Sequence, residues 1–157
     1  MQKITPCLWF DNQAEEAVNF YVSVFKNSKI ENITRYGEAG PGPEGSVLTV
    51  IFKLEGQDFM ALNGGPVFQF TPAISLYVDC ANQEEVDTLW SNLSAVKEAE
   101  QCGWLQDKYG VSWQIVPSVF EEMMQAKDPQ KVKRVTEAML QMKKLDIKAL
   151  QAAYNQA

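Results

Sequence analysis

The stretch Leu8–Tyr21, with the sequence LWFDNQAEEAVNFY, decides the fold because it recurs as LYVDCANQEEVDTLW at Leu76–Trp90. In each copy an apolar, aromatic run ends in Asp, and a pair of Glu residues then opens a stretch with apolar residues at helical spacing. The two copies begin about 68 residues apart. Repetition at this distance indicates two copies of one supersecondary unit, each too small to bury its own apolar face. We expect the two units to close on each other around a ligand cavity.

The composition limits the class of protein. A chain of 157 residues, of which 46% are hydrophobic, is long enough for one compact domain with an apolar core. No apolar run approaches the ~20 residues that cross a membrane, and the N-terminus has no signal-like apolar region. The net charge of −6 and the lack of a basic cluster argue against nucleic acids and anionic membranes as partners. The three cysteines have no CxxC spacing, which favours reduced structural thiols and a cytoplasmic location.

The hydrophobic periodicity predicts an α+β fold of two βαβββ units followed by a helical tail. We expect a single domain in which the first unit spans 1–66, the second spans 72–117 and the tail spans 118–157. The first unit begins with a strand at 3–10, which is followed by an amphipathic helix at Gln13–Phe25 and three further β runs.

The second unit is predicted to repeat the order β-α-β-β-β. Its helix begins at Asn82 or Gln83, a weak sixth strand lies near Val96–Glu100, and a closing hairpin turns at Lys108–Gly110. In the first unit, the Gly and Pro residues of Gly37–Gly45 exclude regular structure. A loop of this kind at a strand end is a candidate pocket rim.

The tail is predicted to be helical at 121–127, 129–142 and 146–154. Asp128 before Pro129 is typical of a helix N-cap followed by proline at the first helical position, and Asp146 is a second plausible cap. The tail carries an apolar stripe, formed by Val132, Val135, Met139 and Met142. The stripe could pack on the outer face of a sheet or on a twin subunit, or the tail could form a lid over the pocket.

Paired βαβββ units with this punctuation resemble the vicinal oxygen chelate superfamily, which includes glyoxalase I and the bleomycin- and fosfomycin-resistance proteins. The resemblance implies that each unit contributes a curved sheet and that the two sheets enclose a cavity. Within this superfamily the chain is similar to the PhnB-like family, often labelled 3-demethylubiquinone-9 3-methyltransferase-like. The similarity covers nearly the whole chain and rests on the motifs ITPCLWFDNQAEEAVNFYVSVF (4–25), GPGPEGSVLTVIF (40–52), FMALNGGP (59–66), QCGWLQDKYGVSWQIVP (101–117) and AMLQMKKLDI (138–147).

The resemblance also implies four metal-ligand positions. Classical members of the superfamily chelate a divalent ion with His or Glu, and the matching positions here lie at or next to Thr5, Met60, Ala73 and Gln114. The last is anchored by DKYGVSWQ, which matches the superfamily pattern D-x-x-G-x-x-x-E with Gln114 in place of Glu. A hydroxyl, a thioether, a methyl and an amide cannot hold a divalent ion as His and Glu do. We therefore expect neither a bound metal nor other cofactors, and no glyoxalase chemistry through a metal.

Two further kinds of chemistry lack their usual residues. Methyl transfer from S-adenosylmethionine usually leaves a Gly-rich turn from a strand to a helix, whereas Asn63–Pro66 precedes the non-helical run VFQF. The methyltransferase label is therefore unsupported by the residues. The chain has no histidine, so a nucleophilic Cys7 or Ser would lack its usual base.

The preferred hypothesis is a metal-free binding protein for a hydrophobic or aromatic small molecule. Strand alternation places a mostly apolar set with a few hydroxyl and amide groups on the corresponding strand faces. This set of candidate ligand-binding residues is Thr5, Cys7, Trp9, Met60, Leu62, Ser75, Tyr77, Ser112 and Gln114. Core filling is the competing interpretation for each of them.

The alternative is a metal-independent enzyme acting on a small hydrophobic or aromatic substrate. It would use Asp107, Lys108 or the region of Asp11 for acid–base work, although Asp11 and Asp79 stand where a helix N-cap is the commoner role. The apolar stripe of the tail and the resemblance together predict a homodimer.

Overall fold

The computed structural model describes residues 2–156. The chain divides into two compact units, Met1–Phe70 and Thr71–Ala157, and the helical tail belongs to the second of them. The prediction of a single domain with inner boundaries at 1–66, 72–117 and 118–157 stays a prediction.

The first unit contains β1 (Cys7–Phe10), α1 (Ala14–Val24), β2 (Lys29–Arg35), β3 (Val47–Leu54) and β4 (Gln57–Asn63). Its sheet has the order β1-β4-β3-β2, with β1 parallel to β4 and the other pairs antiparallel. The predicted order β-α-β-β-β is confirmed. β1 begins four residues later than the sequence run suggested, at Cys7 rather than residue 3, because Pro6 has no N–H to donate to a ladder.

One face of this sheet forms the core of the first unit. α1 packs on β3 and β4 through its buried residues Ala14, Ala17, Val18 and Tyr21. On the sheet side of this core, the side chains come from alternating strand positions and include the fully buried Val50, Phe52 and Ala61. The intervening positions of the same strands point to the opposite face, which α1 does not cover.

The second unit contains β5 (Ser75–Cys80), α2 (Gln83–Leu93), β6 (Trp104–Gln106) and β7 (Ser112–Pro117), and its sheet has the order β5-β7-β6. The predicted weak strand near Val96–Glu100 is wrong, because this segment contains a short 3-10 helix at Lys97–Ala99. Lys, Glu and Ala are all depleted in strands, so the segment has little preference for a ladder.

The tail folds as α3 (Ser118–Met124), α4 (Pro129–Leu140) and α5 (Ile147–Tyr154). The two predicted caps of the tail are confirmed: Asp128 accepts the N–H of Gln130 at 2.9 Å, and Asp146 accepts the N–H of Ala149 at 3.0 Å.

Asp11 and Asp79 do not cap the helices that follow them. The N-cap residues are Gln13 for α1 and Asn82 for α2, because the helices begin three and four residues after the Asp, respectively. Asp79 accepts instead a hydrogen bond from the Ser118 hydroxyl at 2.6 Å, which ties the end of β5 to the start of α3.

The apolar stripe of the tail packs within the second unit. Val135 is fully buried in a core cluster with Val116, Met123, Leu145 and Leu150, and the side chains of Met139 and Met142 pack against this cluster. Because Val116 belongs to β7, the cluster fixes the tail helices on the sheet of their own unit. Three of the four stripe residues therefore have an apolar environment without a partner chain.

The turn between β6 and β7 is organised by Asp107, which is 1% exposed. Its carboxylate accepts the backbone N–H groups of Tyr109 at 2.8 Å and Val111 at 3.0 Å, and the indole N–H of Trp113 at 2.9 Å. Gly110 completes the turn with φ +92, a conformation that side-chain-bearing residues rarely adopt. Asp107, the first residue of the pattern D-x-x-G-x-x-x-E, is thus a structural residue of this hairpin.

We expect Leu150→Ala to lower the free energy of unfolding by about 2–5 kcal/mol, because it leaves a cavity in the tail core. Leu140→Ala is the control, since Leu140 is 51% exposed and its truncation should cost within about 0.5 kcal/mol. Urea denaturation of both variants measures the difference. Equal losses would show that α5 is not held by this core.

We expect Asp107→Asn to lower the free energy of unfolding by about 1–3 kcal/mol, because an amide NH₂ would face an N–H donor that the carboxylate accepts. Asp146→Asn is the matched control, since Asn caps a helix about as well as Asp does. Thermal and urea unfolding followed by circular dichroism compare the two. An Asp107→Asn protein as stable as the control would contradict the structural role.

Candidate functional site

The candidate site in the first unit is built on the sheet face that α1 leaves uncovered. β1 and β4 are parallel neighbours, so that Cys7 pairs with Met60 and Trp9 pairs with Leu62. Four predicted site residues are therefore brought together on one face. Thr5 is half-buried in the segment before β1, next to this face in sequence.

Trp9 is held against the chain that follows β4. Its indole N–H donates to the carbonyl of Gly65 at 2.9 Å, and its ring meets Phe68 edge to face with centroids 5.0 Å apart. A Cβ at Gly64 would lie 2.3 Å from the indole ring, so only glycine lets the ring approach the backbone this closely. The ring position is thus fixed by a hydrogen bond, an aromatic contact and a glycine.

Tyr36 follows β2 and is enclosed by the Gly37–Gly45 loop. A Cβ at Gly40 would lie 2.5 Å from its ring, and one at Gly42 would lie 2.4 Å from it. The Tyr36 hydroxyl donates to the carbonyl of Asn63 at 2.5 Å. The loop that the sequence marked as irregular is therefore wrapped around an aromatic ring, and its glycines are what permit the close contact.

Asn63, the last residue of β4, connects the walls of this region. Its side-chain oxygen accepts the N–H of Ala14 at 2.8 Å, and its side-chain NH₂ donates to the carbonyl of Val47 at 3.1 Å. Gln13 caps α1 without a side-chain hydrogen bond, so Asn63 supplies the acceptor that the helix start needs. One amide thus ties the start of α1 to the start of β3.

Two adjoining cavities result. The first, of about 340 Å³, is lined by the side chains of Trp9, Tyr36, Pro41, Leu48 and Leu62 and by glycines. Leu48 reaches it because β3 has a bulge at this residue: Thr34 pairs with Thr49 and Arg35 with Val47, leaving Leu48 without a counterpart.

The second cavity, of about 620 Å³, shares Tyr36, Pro41 and Gly64 with the first. Its other walls carry Asp11, Glu15 and Glu16, together with Asn12 and Ser46. The two cavities differ in chemistry, since the first has no charged residue in its lining and the second has three carboxylates.

The second unit brings together four more predicted residues. Ser75 pairs with Ser112 and Tyr77 with Gln114, and the Gln114 amide donates to the Ser75 hydroxyl at 2.9 Å. The Tyr77 hydroxyl donates to the Glu121 carboxylate at 2.5 Å. Desolvation, followed by this hydrogen bond, raises the pKa of Tyr77 above its usual value, so its hydroxyl stays protonated. The polar groups of Ser75, Tyr77 and Gln114 thus form hydrogen bonds within their own unit.

The sequence matches Trp9 with Tyr77 through LWFD and LYVD. It also matches Met60 with Gln114, because G-x-x-F-M at 56–60 corresponds to G-x-x-W-Q at 110–114. In the structure these two matches differ in register. Trp9 pairs with Leu62, whereas Tyr77 pairs with Gln114, so that the two matches are offset by two residues. The turn before β4 has two residues and the turn before β7 has five, which accounts for an offset. Since the side-chain period of a strand is two, the predicted site residues that lie in strands stay on the expected face.

The residues at the four metal-ligand positions do not fit a divalent ion. Met60 offers a thioether, Thr5 a hydroxyl and Ala73 no ligand atom, and the Gln114 amide is bound to Ser75. Throughout residues 2–156, no group of three or more His, Cys, Asp or Glu side chains could hold a metal ion. No step through a metal follows from such a donor set.

The segment after β4 also lacks the strand-to-helix turn that usually binds S-adenosylmethionine. β4 ends at Asn63, and no helix lies between it and β5, so Gly64 and Gly65 do not form a turn from a strand to a helix N-terminus. Gly64 lies against the Trp9 ring and Gly65 accepts the indole N–H, which gives both glycines a role in the cavity wall.

Asp107 and Lys108, two of the residues named for the enzyme hypothesis, give it no support. The Asp107 carboxylate is buried and accepts three N–H donors, and the Lys108 ammonium lies 5.4 Å from the ring centroid of Tyr109. Desolvation raises the pKa of the Cys7 thiol and raises that of Cys80 to about 12. A raised thiol pKa reduces the thiolate that nucleophilic chemistry needs.

Sequence reasoning missed Tyr36, Leu48 and Asn63. The Gly-Pro loop after Tyr36 was a usable signal, because repeated glycines around one aromatic residue indicate close packing on its ring. Leu48 could not be found in this way, since alternation assigns it to the core face and only the bulge redirects it.

Comparisons with known proteins agree with this architecture. The chain is similar over residues 2–116 to the profile of the 3-demethylubiquinone-9 3-methyltransferase family. A PhnB protein from Bacillus cereus, described as a 3-demethylubiquinone-9 3-methyltransferase, is 46% identical; the match covers 74% of this chain and 99% of that chain, with a TM-score of 0.64. No curated protein is similar enough to count as a match.

Two more distant structures were also found. Protein PA1353 from Pseudomonas aeruginosa is 18% identical over 74% of this chain and 98% of its own, with a TM-score of 0.58, and supports the fold alone. A glyoxylase/bleomycin resistance protein/dioxygenase domain from Frankia sp. EAN1pec is 12% identical over 74% of this chain and 92% of its own, with a TM-score of 0.45. The profile match and the 46% identity to the Bacillus cereus protein show that the chain belongs to the PhnB-like 3-demethylubiquinone-9 3-methyltransferase family.

Proposed function

We propose that this protein binds a small hydrophobic or aromatic molecule without the help of a metal ion. The observation that carries the proposal is the apolar cavity of about 340 Å³ beside Trp9 and Leu62. Its volume lies within the range of small-molecule sites, and its walls are aromatic and aliphatic, as such sites usually are. Trp9, Leu62 and Tyr36 would contact the ligand directly.

The rigid construction of the walls supports the proposal. The indole N–H of Trp9 donates to the backbone carbonyl of Gly65, and the hydroxyl of Tyr36 donates to that of Asn63. Their rings therefore present apolar surface to the cavity without leaving a buried donor unsatisfied. A wall that is already ordered loses little conformational entropy when a ligand binds.

Methyl transfer and metal-dependent catalysis are not part of the proposal. The family name refers to a methyltransferase, but the glycines after β4 form a cavity wall and not a cofactor turn. The candidate residues of the second unit, Ser75, Tyr77, Ser112 and Gln114, stay a prediction of the same binding function.

We also propose a cytoplasmic homodimer. The three cysteines are free thiols, as a reducing compartment requires.

The dimer is proposed from the strand edges. β1 and β5 each lie at the end of the strand order of their sheet, and the nearby Ile4 and Ile74 are 84% and 77% exposed. Unpaired strand edges beside exposed apolar side chains favour association. Among residues 2–156, none of the helices has the length and apolar character that crossing a bilayer requires.

The binding proposal predicts that the neutral fluorescent probe N-phenyl-1-naphthylamine binds saturably, and that Gly64→Ala weakens it about tenfold or more, equivalent to about 1.4 kcal/mol. The added methyl would displace the Trp9 ring. Leu140→Ala is the control, since Leu140 is 51% exposed on α4 and lines neither cavity, so this variant should bind as the unmodified protein does. Fluorescence titration with and without EDTA measures both variants.

Unchanged probe binding by a folded Gly64→Ala protein would contradict the site, and so would loss of binding in EDTA. Circular dichroism melting curves of Gly64→Ala and Leu140→Ala show whether a loss of binding reflects unfolding. Leu62→Gln tests the same cavity by placing a polar amide in its lining, without replacing a glycine, and should also weaken probe binding.

The dimer proposal predicts a mass of twice 17.7 kDa in light scattering across micromolar concentrations. Ile4→Lys and Ile74→Lys place charges beside the two edge strands and should shift the mass towards the monomer. Leu140→Lys, at an exposed position of α4, is the control. A monomeric unmodified protein would refute the proposal.

A further inference from the structure

The apolar cavity does not stand alone, because the cavity of about 620 Å³ adjoins it and shares Tyr36, Pro41 and Gly64 with it. A ligand larger than the apolar compartment would extend past the Tyr36 ring into the second one. The polar character of that second compartment then decides which group of the ligand it accepts.

The second compartment is negatively charged. Asp11, Glu15 and Glu16 line it, and no Lys or Arg does. Within residues 2–156 none of these three carboxylates forms an ion pair or a side-chain hydrogen bond, whereas Asp58 is paired with Lys53 and Asp87 with Lys144. Uncompensated charge of one sign in a concave site concentrates ligands of the opposite charge.

The start of a helix attracts carboxylates without any ligand, and Glu15 and Glu16 lie in the first turn of α1. The repeat provides an internal comparison, because Glu84 and Glu85 occupy the first turn of α2. A role limited to the helix dipole predicts the same behaviour in both copies. The cavity and the Tyr36 wall are what the first copy has in addition, and Asp79, the counterpart of Asp11, accepts the Ser118 hydroxyl instead of lining a cavity of this kind.

We propose that the ligand is an amphipathic cation. Its apolar or aromatic body would occupy the compartment of Trp9, Leu48 and Leu62, and its ammonium or guanidinium group would lie among the carboxylates beyond Tyr36. The proposal rests on the binding function proposed above and specifies the chemical class of the ligand. The Tyr36 ring between the compartments suits both ends, since an aromatic ring packs on apolar groups and attracts cations.

The test uses three probes that share one apolar body: 4-phenylbutylammonium, 4-phenyl-1-butanol and 4-phenylbutyrate. Their affinities are measured by competition with N-phenyl-1-naphthylamine and by calorimetry, at low and at high salt. We expect the cation to bind at least about fivefold more tightly than the alcohol and the carboxylate to bind most weakly. The preference should shrink as salt screens the carboxylates.

The double variant Glu15→Gln/Glu16→Gln should bring the affinity ratio of the cation to the alcohol close to one. The double variant Glu84→Gln/Glu85→Gln is the matched control, since it removes the same two charges from the equivalent turn of α2 and should leave the ratio unchanged. Equal binding of the cation and the alcohol by the unmodified protein would overturn the inference while leaving the proposed function intact. A drop of the ratio in Glu84→Gln/Glu85→Gln as large as in Glu15→Gln/Glu16→Gln would overturn it as well. If neither the alcohol nor N-phenyl-1-naphthylamine binds, the proposed function fails and the inference fails with it.

Discussion

The hydrogen bonds of Asn63 are the interaction on which the candidate site depends. Its side-chain amide joins the first N–H of α1 to a carbonyl at the start of β3, and its own carbonyl receives the Tyr36 hydroxyl. Each bond contributes only on the order of 1 kcal/mol, yet together they hold three segments that are distant in sequence. The Gly-Pro loop follows from this arrangement, because it wraps a tyrosine ring whose position Asn63 fixes.

The fold of this protein does not bring with it the metal-ligand residues that the sequence resemblance implies. The paired β-α-β units and the buried Asp107 hairpin, with its indole and backbone donors, persist as structural features. The positions that would hold an ion carry side chains with other roles, as at Gln114, which donates to Ser75. A sheet scaffold tolerates this because its stability comes from the face packed on α1 or α2, and the opposite face is free to change.

Much of the architecture could be predicted from local patterns. The helices α1 and α2, the hairpin turns and the caps at Asp128 and Asp146 all depend on residues close in sequence, where spacing and capping chemistry act directly. Errors arose where a local preference was weak or ambiguous. Around Lys97–Ala99, the analogy with the first repeat predicts a strand. The composition of the segment disfavours one, and the segment forms a 3-10 helix.

The sequence by itself determined the repeat and, apart from the strand near Val96–Glu100, the order of the elements. It also determined the faces on which Trp9, Leu62, Tyr77 and Gln114 lie, because alternation along a strand has a period of two. Only the tertiary structure decided the register of the parallel pairs, which depends on turn length and hydrogen bonding between segments far apart in sequence. It likewise decided the cavity walls. Leu48 enters through a bulge, and Tyr36 meets Asn63 across 27 positions of sequence, a contact that no local pattern encodes.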